Sequence, residues 1–150
     1  MERTKAKEEL IKLLNQALQL EHAARIQYLA HAELVDGLNA EAIIERLKEI
    51  AGDEKKHEDM FRRLIGILGG EPTMGMAETH KAKTIQEILE VNLKDEKHAV
   101  DVYTPILKRI VELKDSLPYE YLTLEHDVRH IIMDEQEHIS ELKILLARID

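Results

Sequence analysis

The chain has 150 residues, no cysteine and a formal net charge of −9. This length suits one domain, expected over residues 1–150, and the missing cysteine excludes disulfides, thiolate metal sites and cysteine nucleophiles. An acidic balance without a basic cluster argues against nucleic-acid binding. No apolar run reaches the roughly 18 residues that a membrane span needs, and no apolar signal segment is visible near Met1. We therefore expect a cytoplasmic protein that does not enter membranes.

Two long helices are predicted in the first half from the helical spacing of apolar residues. The first is expected over about residues 5–36 and the second over about 40–68, with Asn39 as a candidate N-cap. Glycines follow both helices, Gly37 after the first and Gly69 after the second, as expected of helix stop signals.

The connection that follows, over residues 69–83, is too long for a turn between adjacent antiparallel helices. We expect it to carry the chain along the length of a bundle. Its Met74, Met76 and His80 are compatible with a soft metal site or with ordinary packing, and we favour packing.

Two further helices are predicted in the second half. The third opens with a capping box at Thr84 and Glu87 and contains Pro105, which should kink it or leave a backbone bond open. The fourth is expected to begin between residues 116 and 123 and to run to the chain end, with Ile149 as its last apolar residue. The pattern predicts an all-α, antiparallel four-helix bundle with one long crossover between the second and third helices.

Two of these helices carry a Glu-x-x-His sequence, Glu54 to His57 and Glu135 to His138. Residues three apart lie on nearly one helix face, so each pair can reach one metal ion. A chain rich in glutamate produces such pairs by chance, and their position relative to the apolar stripe is therefore the stronger test.

Four glutamates, one in each helix, lie in the apolar stripe rather than on the polar face. Glu21 is seven residues from both Leu14 and Tyr28, and Glu54, Glu96 and Glu135 stand in the same relation to apolar residues. Buried carboxylates cost several kcal/mol each unless compensated, and two divalent cations would balance four of them. The alternative is a metal-free helical protein with glutamates at helix edges. We predict a di-metal site with these ligands: Glu21, Glu54, His57, Glu96, Glu135 and His138.

The segments around these residues resemble the ferritin-like superfamily, and bacterioferritin most closely. The resemblance is carried by residues 20–32, 53–57 and 134–139, and it extends over nearly the whole chain. It implies a ferritin-like bundle that holds two iron ions, with manganese or zinc as alternatives. It also implies oxidation of Fe²⁺ by O₂ or H₂O₂, that is, a ferroxidase in iron detoxification and homeostasis. Cage-based iron storage and oxidation of an organic substrate by a di-iron or di-manganese centre remain open.

The resemblance also assigns roles within the site. It implies that Glu54 and Glu135 bridge the two metals, that the other four ligands are terminal, and that Tyr28 is a catalytic tyrosine close to the site. From their positions, Asp53 and Asp134 could each hydrogen-bond a ligand histidine of the facing helix, or could have an ordinary surface role. Most of the remaining histidines are expected at the surface: His22, His31, His98, His126 and His130.

Two departures from the family pattern affect haem and assembly. Lys55 stands where bacterioferritin has its haem-ligating methionine, so we expect no haem. The family's cage-forming members have a fifth helix, for which this chain leaves no room. We expect a homodimer, with a larger cage as the alternative. Its contact should use apolar residues off the main stripe of the first two helices: Ile11, Ile26, Leu29, Leu34 and Ile44.

Overall fold

The computed structural model describes residues 1–148 and contains four long helices. They are α1 (Arg3–Ala32), α2 (Ala40–Ile67), α3 (Ile85–Glu112) and α4 (Tyr121–Leu145), with a 3-10 turn at Lys114–Ser116. The all-α prediction is confirmed, and no strand occurs within 1–148. Two helices end earlier in the sequence than predicted, α1 at Ala32 and α4 at Leu145. Ile149 lies outside the described residues.

Two helices, α2 and α3, begin directly after their predicted capping residues, Asn39 and Thr84. At α3 the backbone N–H of Glu87 donates to Thr84 Oγ1 at 3.1 Å, as the capping box requires. Asn39 precedes α2 but adopts φ 64° and makes no side-chain cap bond, so its predicted capping role was wrong. Pro105 is exposed, and α3 continues through it.

The crossover runs beside α1 and in the same direction. Thr73 N–H donates to Asn15 Oδ1 at 2.9 Å, and His80 N–H donates to Gln27 Oε1 at 2.6 Å. Gly70 packs so closely on Ile11 that an added Cβ would lie 2.7 Å from its side chain. Ten extended residues span about 33 Å, enough to follow the roughly 30 Å rise of a 20-residue helix. The crossover therefore returns the chain to the far end of the bundle, where α3 starts antiparallel to α1.

The interior consists of two apolar clusters separated by a polar layer. One cluster contains Leu18 and Phe61, and the other contains Ala32 and Leu47. On every helix a stripe glutamate lies between the residues of the two clusters, as Glu21 does on α1. The polar layer therefore crosses the bundle at mid-height.

The surface carries part of the predicted dimer face. Ile26, Leu29 and Leu34 are 42, 41 and 52% exposed, whereas Ile11 and Ile44 are only partly exposed because they pack against the apolar clusters. Within the described part of the chain, no helix has the length and apolar character needed to span a bilayer.

Candidate metal centre

The structure brings the six predicted ligands together in the polar layer. Each is at most 3% exposed, although all six side chains are ionisable. Because the stripe register points every glutamate inward, one carboxylate arrives from each helix. The two histidines follow from α2 and α4, one helical turn after Glu54 and Glu135.

The ligand atoms form two overlapping groups. Within each group, one N or O atom per residue lies within 4.8 Å of the others. The first group consists of Glu21, Glu54, His57 and Glu135, and the second of Glu54, Glu96, Glu135 and His138. Glu54 and Glu135 belong to both groups, so their carboxylates lie where two ions would share them.

Both imidazoles direct Nδ1 towards the carboxylates. His57 Nδ1 lies 2.9 Å from Glu135 Oε1 and 3.5 Å from Glu21 Oε1. His138 Nδ1 lies 3.4 Å from both Glu54 Oε1 and Glu96 Oε1. The ring centroids of His57 and His138 are 6.2 Å apart, so the two imidazoles flank the carboxylates without stacking on each other.

Six buried side-chain atoms in this layer, one on each predicted ligand, make no hydrogen bond of regular geometry, although two of them, His57 Nδ1 and Glu135 Oε1, lie 2.9 Å apart. The six atoms are Glu21 Oε2, Glu54 Oε1, His57 Nδ1, Glu96 Oε2, Glu135 Oε1 and His138 Nδ1. Partnerless buried polar atoms are rare and costly in folded proteins. Oxygen and imidazole nitrogen donors suit iron and manganese, and zinc also accepts them. The residues present therefore fit a pair of divalent ions.

Two aspartates orient the histidines from outside the layer. His57 Nε2 lies 2.9 Å from Asp134 Oδ2, and His138 Nε2 lies 2.9 Å from Asp53 Oδ2. Each bond joins α2 to α4, which confirms the predicted contact with the facing helix. With Nε2 donating to the aspartate, Nδ1 is left as the ligand nitrogen. The hydrogen bond from His57 also lowers the pKa of Asp134.

Without cations, two of the packed carboxyl groups favour bound protons. Burial and the neighbouring carboxylates raise the pKa of Glu54 and of Glu135 well above the usual value of 4.5. Burial alone would lower the pKa of His57, but Glu21 and the hydrogen-bonded carboxylates raise it to about 12. Burial would also lower the pKa of His138, but Glu96 and Asp53 outweigh burial and raise this pKa to about 9.

Two tyrosines donate to the outer carboxylates in a crossed pattern. Tyr28 of α1 donates to Glu96 Oε1 at 2.7 Å, and Tyr103 of α3 donates to Glu21 Oε1 at 2.8 Å. Burial, followed by the adjacent carboxylates, raises the pKa of both phenols, which keeps them protonated as donors. Tyr103 was not among the predicted site residues. It could have been found, because Tyr103 follows Glu96 by seven residues as Tyr28 follows Glu21.

A second polar group beside the site was also missed. His31 is only 4% exposed, so the surface expectation is wrong for it. Its Nε2 bonds the His80 carbonyl at 2.9 Å, and its Nδ1 lies 3.0 Å from Asn92 Nδ2. His80 Nδ1 bonds Asp95 Oδ2 at 2.9 Å. The crossover backbone bonds to α1, but Met74 and Met76 are 99% and 49% exposed, so the favoured packing is wrong for these two side chains.

The sequence comparison identifies the family. A family profile described as "Ferritin-like domain" matches residues 11–150. The chain belongs to the ferritin family. The ferritin-like resemblance that rested on residues 20–32, 53–57 and 134–139 is therefore confirmed.

Individual ferritins show the same relationship. A bacterial ferritin of Pseudomonas aeruginosa is 37% identical over 90 residues, which cover 60% of this chain but only 58% of that protein. A bacterial ferritin of Neisseria meningitidis is 28% identical over 141 residues, covering 94% of this chain and 88% of that one.

A solved structure matches the fold over nearly the whole chain. A ferritin-like, diiron-carboxylate protein from Bacillus anthracis superposes with a TM-score of 0.86 at 27% identity. The match covers 94% of this chain and 97% of that chain. The predicted ferritin-like four-helix bundle is confirmed.

Proposed function

We propose that this ferritin-family protein binds two iron ions in the polar layer and oxidises Fe²⁺ with O₂ or H₂O₂. The observation that carries the proposal is that six buried side chains converge on one layer, each with a ligand atom that makes no regular hydrogen bond. Glu54 and Glu135 would bridge the ions, while Glu21 with His57 and Glu96 with His138 would hold one ion each, consistent with the two overlapping groups.

The substrate ions supply the electrons, one from each Fe²⁺. With peroxide the balance is 2 Fe²⁺ + H₂O₂ + 2 H⁺ → 2 Fe³⁺ + 2 H₂O, so both electrons reach one oxidant together. Four anionic carboxylates favour the ferric product because hard oxygen ligands prefer the more highly charged ion. The chain's contribution is to hold the two ions together in a site that excludes bulk water.

The remaining residues position the ligands. Asp53 and Asp134 fix the imidazole rings through their 2.9 Å bonds, so that Nδ1 faces the ions. Tyr28 donates to Glu96 and remains the candidate catalytic tyrosine from the family resemblance; it lines the cavity that reaches the carboxylates, as Tyr103 does.

Exposed apolar residues in α1 and just after it support a dimeric form of this oxidase. Ile26 and Leu29 of α1, and Leu34 in the turn that follows it, are each more than 40% exposed. A self-complementary two-fold contact is the commonest way to bury such a surface. We propose a homodimer that binds no haem, since Lys55 is exposed and offers no thioether.

Metal analysis and rapid mixing test the proposal. Anaerobic titration with Fe²⁺ should saturate near two ions per chain, and mixing with H₂O₂ or O₂ should then give a fast ferric absorbance rise. Glu21→Ala should lose one ion, whereas Glu8→Ala, an exposed change on the same helix, should lose none. A chain that takes up only trace iron would overturn the proposal.

A further inference from the structure

A cavity lies between α1 and α3, beneath residues 77–80 of the crossover. Its volume is about 210 Å³. Its inner end is formed by Glu54, Glu96 and Glu135, so it reaches the proposed metal ligands directly. The proposed metal ions would occupy only this inner end, and the function proposed above gives no role to the rest of the space.

The volume suits a one-ring organic molecule. A dry protein cavity of about 150 Å³ holds benzene, and a single water occupies roughly 30 Å³ of liquid. Dioxygen or peroxide would leave most of 210 Å³ empty. A substituted benzene ring fills it far better.

The side walls are mostly apolar, although Gln27, Asn92 and His98 also line the cavity. Leu20 and four alanines (Ala23, Ala24, Ala77 and Ala99) form these walls together with the rings of two tyrosines. A ligand that packs against this surface must be mostly apolar.

The rim is acidic and already hydrogen-bonded within the protein. Asp95 Oδ2 accepts from Gln27 Nε2 at 2.8 Å and bonds His80 Nδ1 at 2.9 Å. Glu78 adds a second carboxylate to the lining. Because the network holds residues 77–80 in place, the opening is preformed. Its two carboxylates disfavour anionic ligands.

The inner end of the cavity is also polar. Glu96 Oε1 accepts the Tyr28 hydroxyl, while Glu96 Oε2 has no partner. A ligand whose ring lies along the alanines would direct one polar atom towards these carboxylates. A hydroxyl meets this requirement without adding negative charge.

We propose that the cavity binds a neutral one-ring phenol, with its ring against Ala24 and Ala99 and its hydroxyl towards Glu96. The proposal deepens the di-metal function, because the inner end consists of the proposed ligands. Binding itself requires only the cavity and its carboxylate end, so it can be measured with and without metal.

Fluorine NMR of 4-fluorophenol tests the proposal on the zinc-loaded and the metal-free protein. We expect saturable binding of one molecule per chain in both forms. Ala24→Leu fills the cavity and should weaken binding about tenfold or more, because the ring would overlap the new side chain. Ala30→Leu is the matched control, since Ala30 is exposed on the same helix, and it should change affinity less than about twofold.

Four results would overturn the phenol site: no saturation, equal binding of 4-fluorobenzoate, equal binding of fluorobenzene, or unchanged binding by Ala24→Leu. Zinc stoichiometry, measured on the same samples, separates this inference from the proposed function. A parent protein that binds 4-fluorophenol but no metal would refute the metal centre and leave the cavity assignment standing.

Discussion

Replacing Glu54 and Glu135 together by glutamine should stabilise the metal-free protein and abolish its stabilisation by metal. Burial and mutual repulsion raise the pKa of both carboxyls, so the metal-free protein near neutral pH must bind protons or bury charge. Glutamine has the shape of the protonated acid and carries no charge. The metal-free double variant should therefore melt higher than the metal-free parent, whereas added metal should stabilise only the parent.

The size of the metal effect follows from mass action. An ion present at 100 times its dissociation constant stabilises the folded state by about 2.7 kcal/mol, so two ions contribute about 5 kcal/mol. For a chain of this length, 1 kcal/mol shifts the melting temperature by about 2–4 °C. The parent should gain roughly 10–20 °C on loading, and the variant close to none.

Thermal melting with and without Zn²⁺ measures both effects without redox chemistry. The matched control is Glu49→Gln with Glu137→Gln, two exposed carboxylates on the same helices as Glu54 and Glu135. This control should behave as the parent does. The reasoning would be refuted if the melting temperature of the parent did not change on adding metal, or if metal stabilised the double variant as strongly as the parent.

The metal-free parent should lose stability as pH rises above about 4.5. The pKa values of Glu54 and Glu135 are higher in the folded state than in the unfolded state, so the folded state binds more protons and its advantage is lost as pH rises above the unfolded-state pKa. Urea unfolding at several pH values would measure this, and a rise in stability with pH would contradict it. Asp134→Asn should weaken metal binding about 10–100-fold by freeing the ring of His57, and Co²⁺ titration would detect it; unchanged affinity would argue against positioning. Added haem should produce no Soret band, given Lys55 at the family's methionine position; a stoichiometric low-spin spectrum would show that expectation to be wrong. Light scattering should give twice the chain mass of 17.3 kDa, and a particle of several hundred kilodaltons would favour a storage cage instead.

Heptad spacing explains why the helices and the six convergent side chains could be predicted. Glu21 lies in register with Leu14 and Tyr28, and a residue in register with a buried stripe is itself buried. A second local signal, the capping box at Thr84 and Glu87, gave the start of α3. Such periodicity is a property of one helix, so it can be recognised in the sequence without knowing which helices pack against it.

Contacts made by the crossover could not be read in this way. Residues 69–84 have no helical or strand period, so nothing in the sequence pairs His80 with Gln27 or Asp95. His31 was expected at the surface because the stripe leaves it to one side, and the crossover backbone covers it. The cavity above the carboxylates arises from the same long-range packing.

The crossed hydrogen bonds make each half of the bundle depend on the other. Tyr28 of the first half holds Glu96 of the second, and Tyr103 of the second holds Glu21 of the first. The histidine–aspartate bonds join α2 and α4 in the same reciprocal way. Neither helical pair alone contains a complete set of oriented ligands, so the site forms only when the two pairs dock.

This near two-fold arrangement is broken on one side only. The crossover follows α1, and the cavity beneath it reaches Glu96 but is not lined by Glu21. The two proposed metal positions thus have matching ligands and unequal access from outside. Since the ligands come from a repeated pattern and the cavity from a single crossover, we expect that metal chemistry and access can vary independently in this fold, with residues 77–80 at the opening and the six proposed ligands at the metal positions.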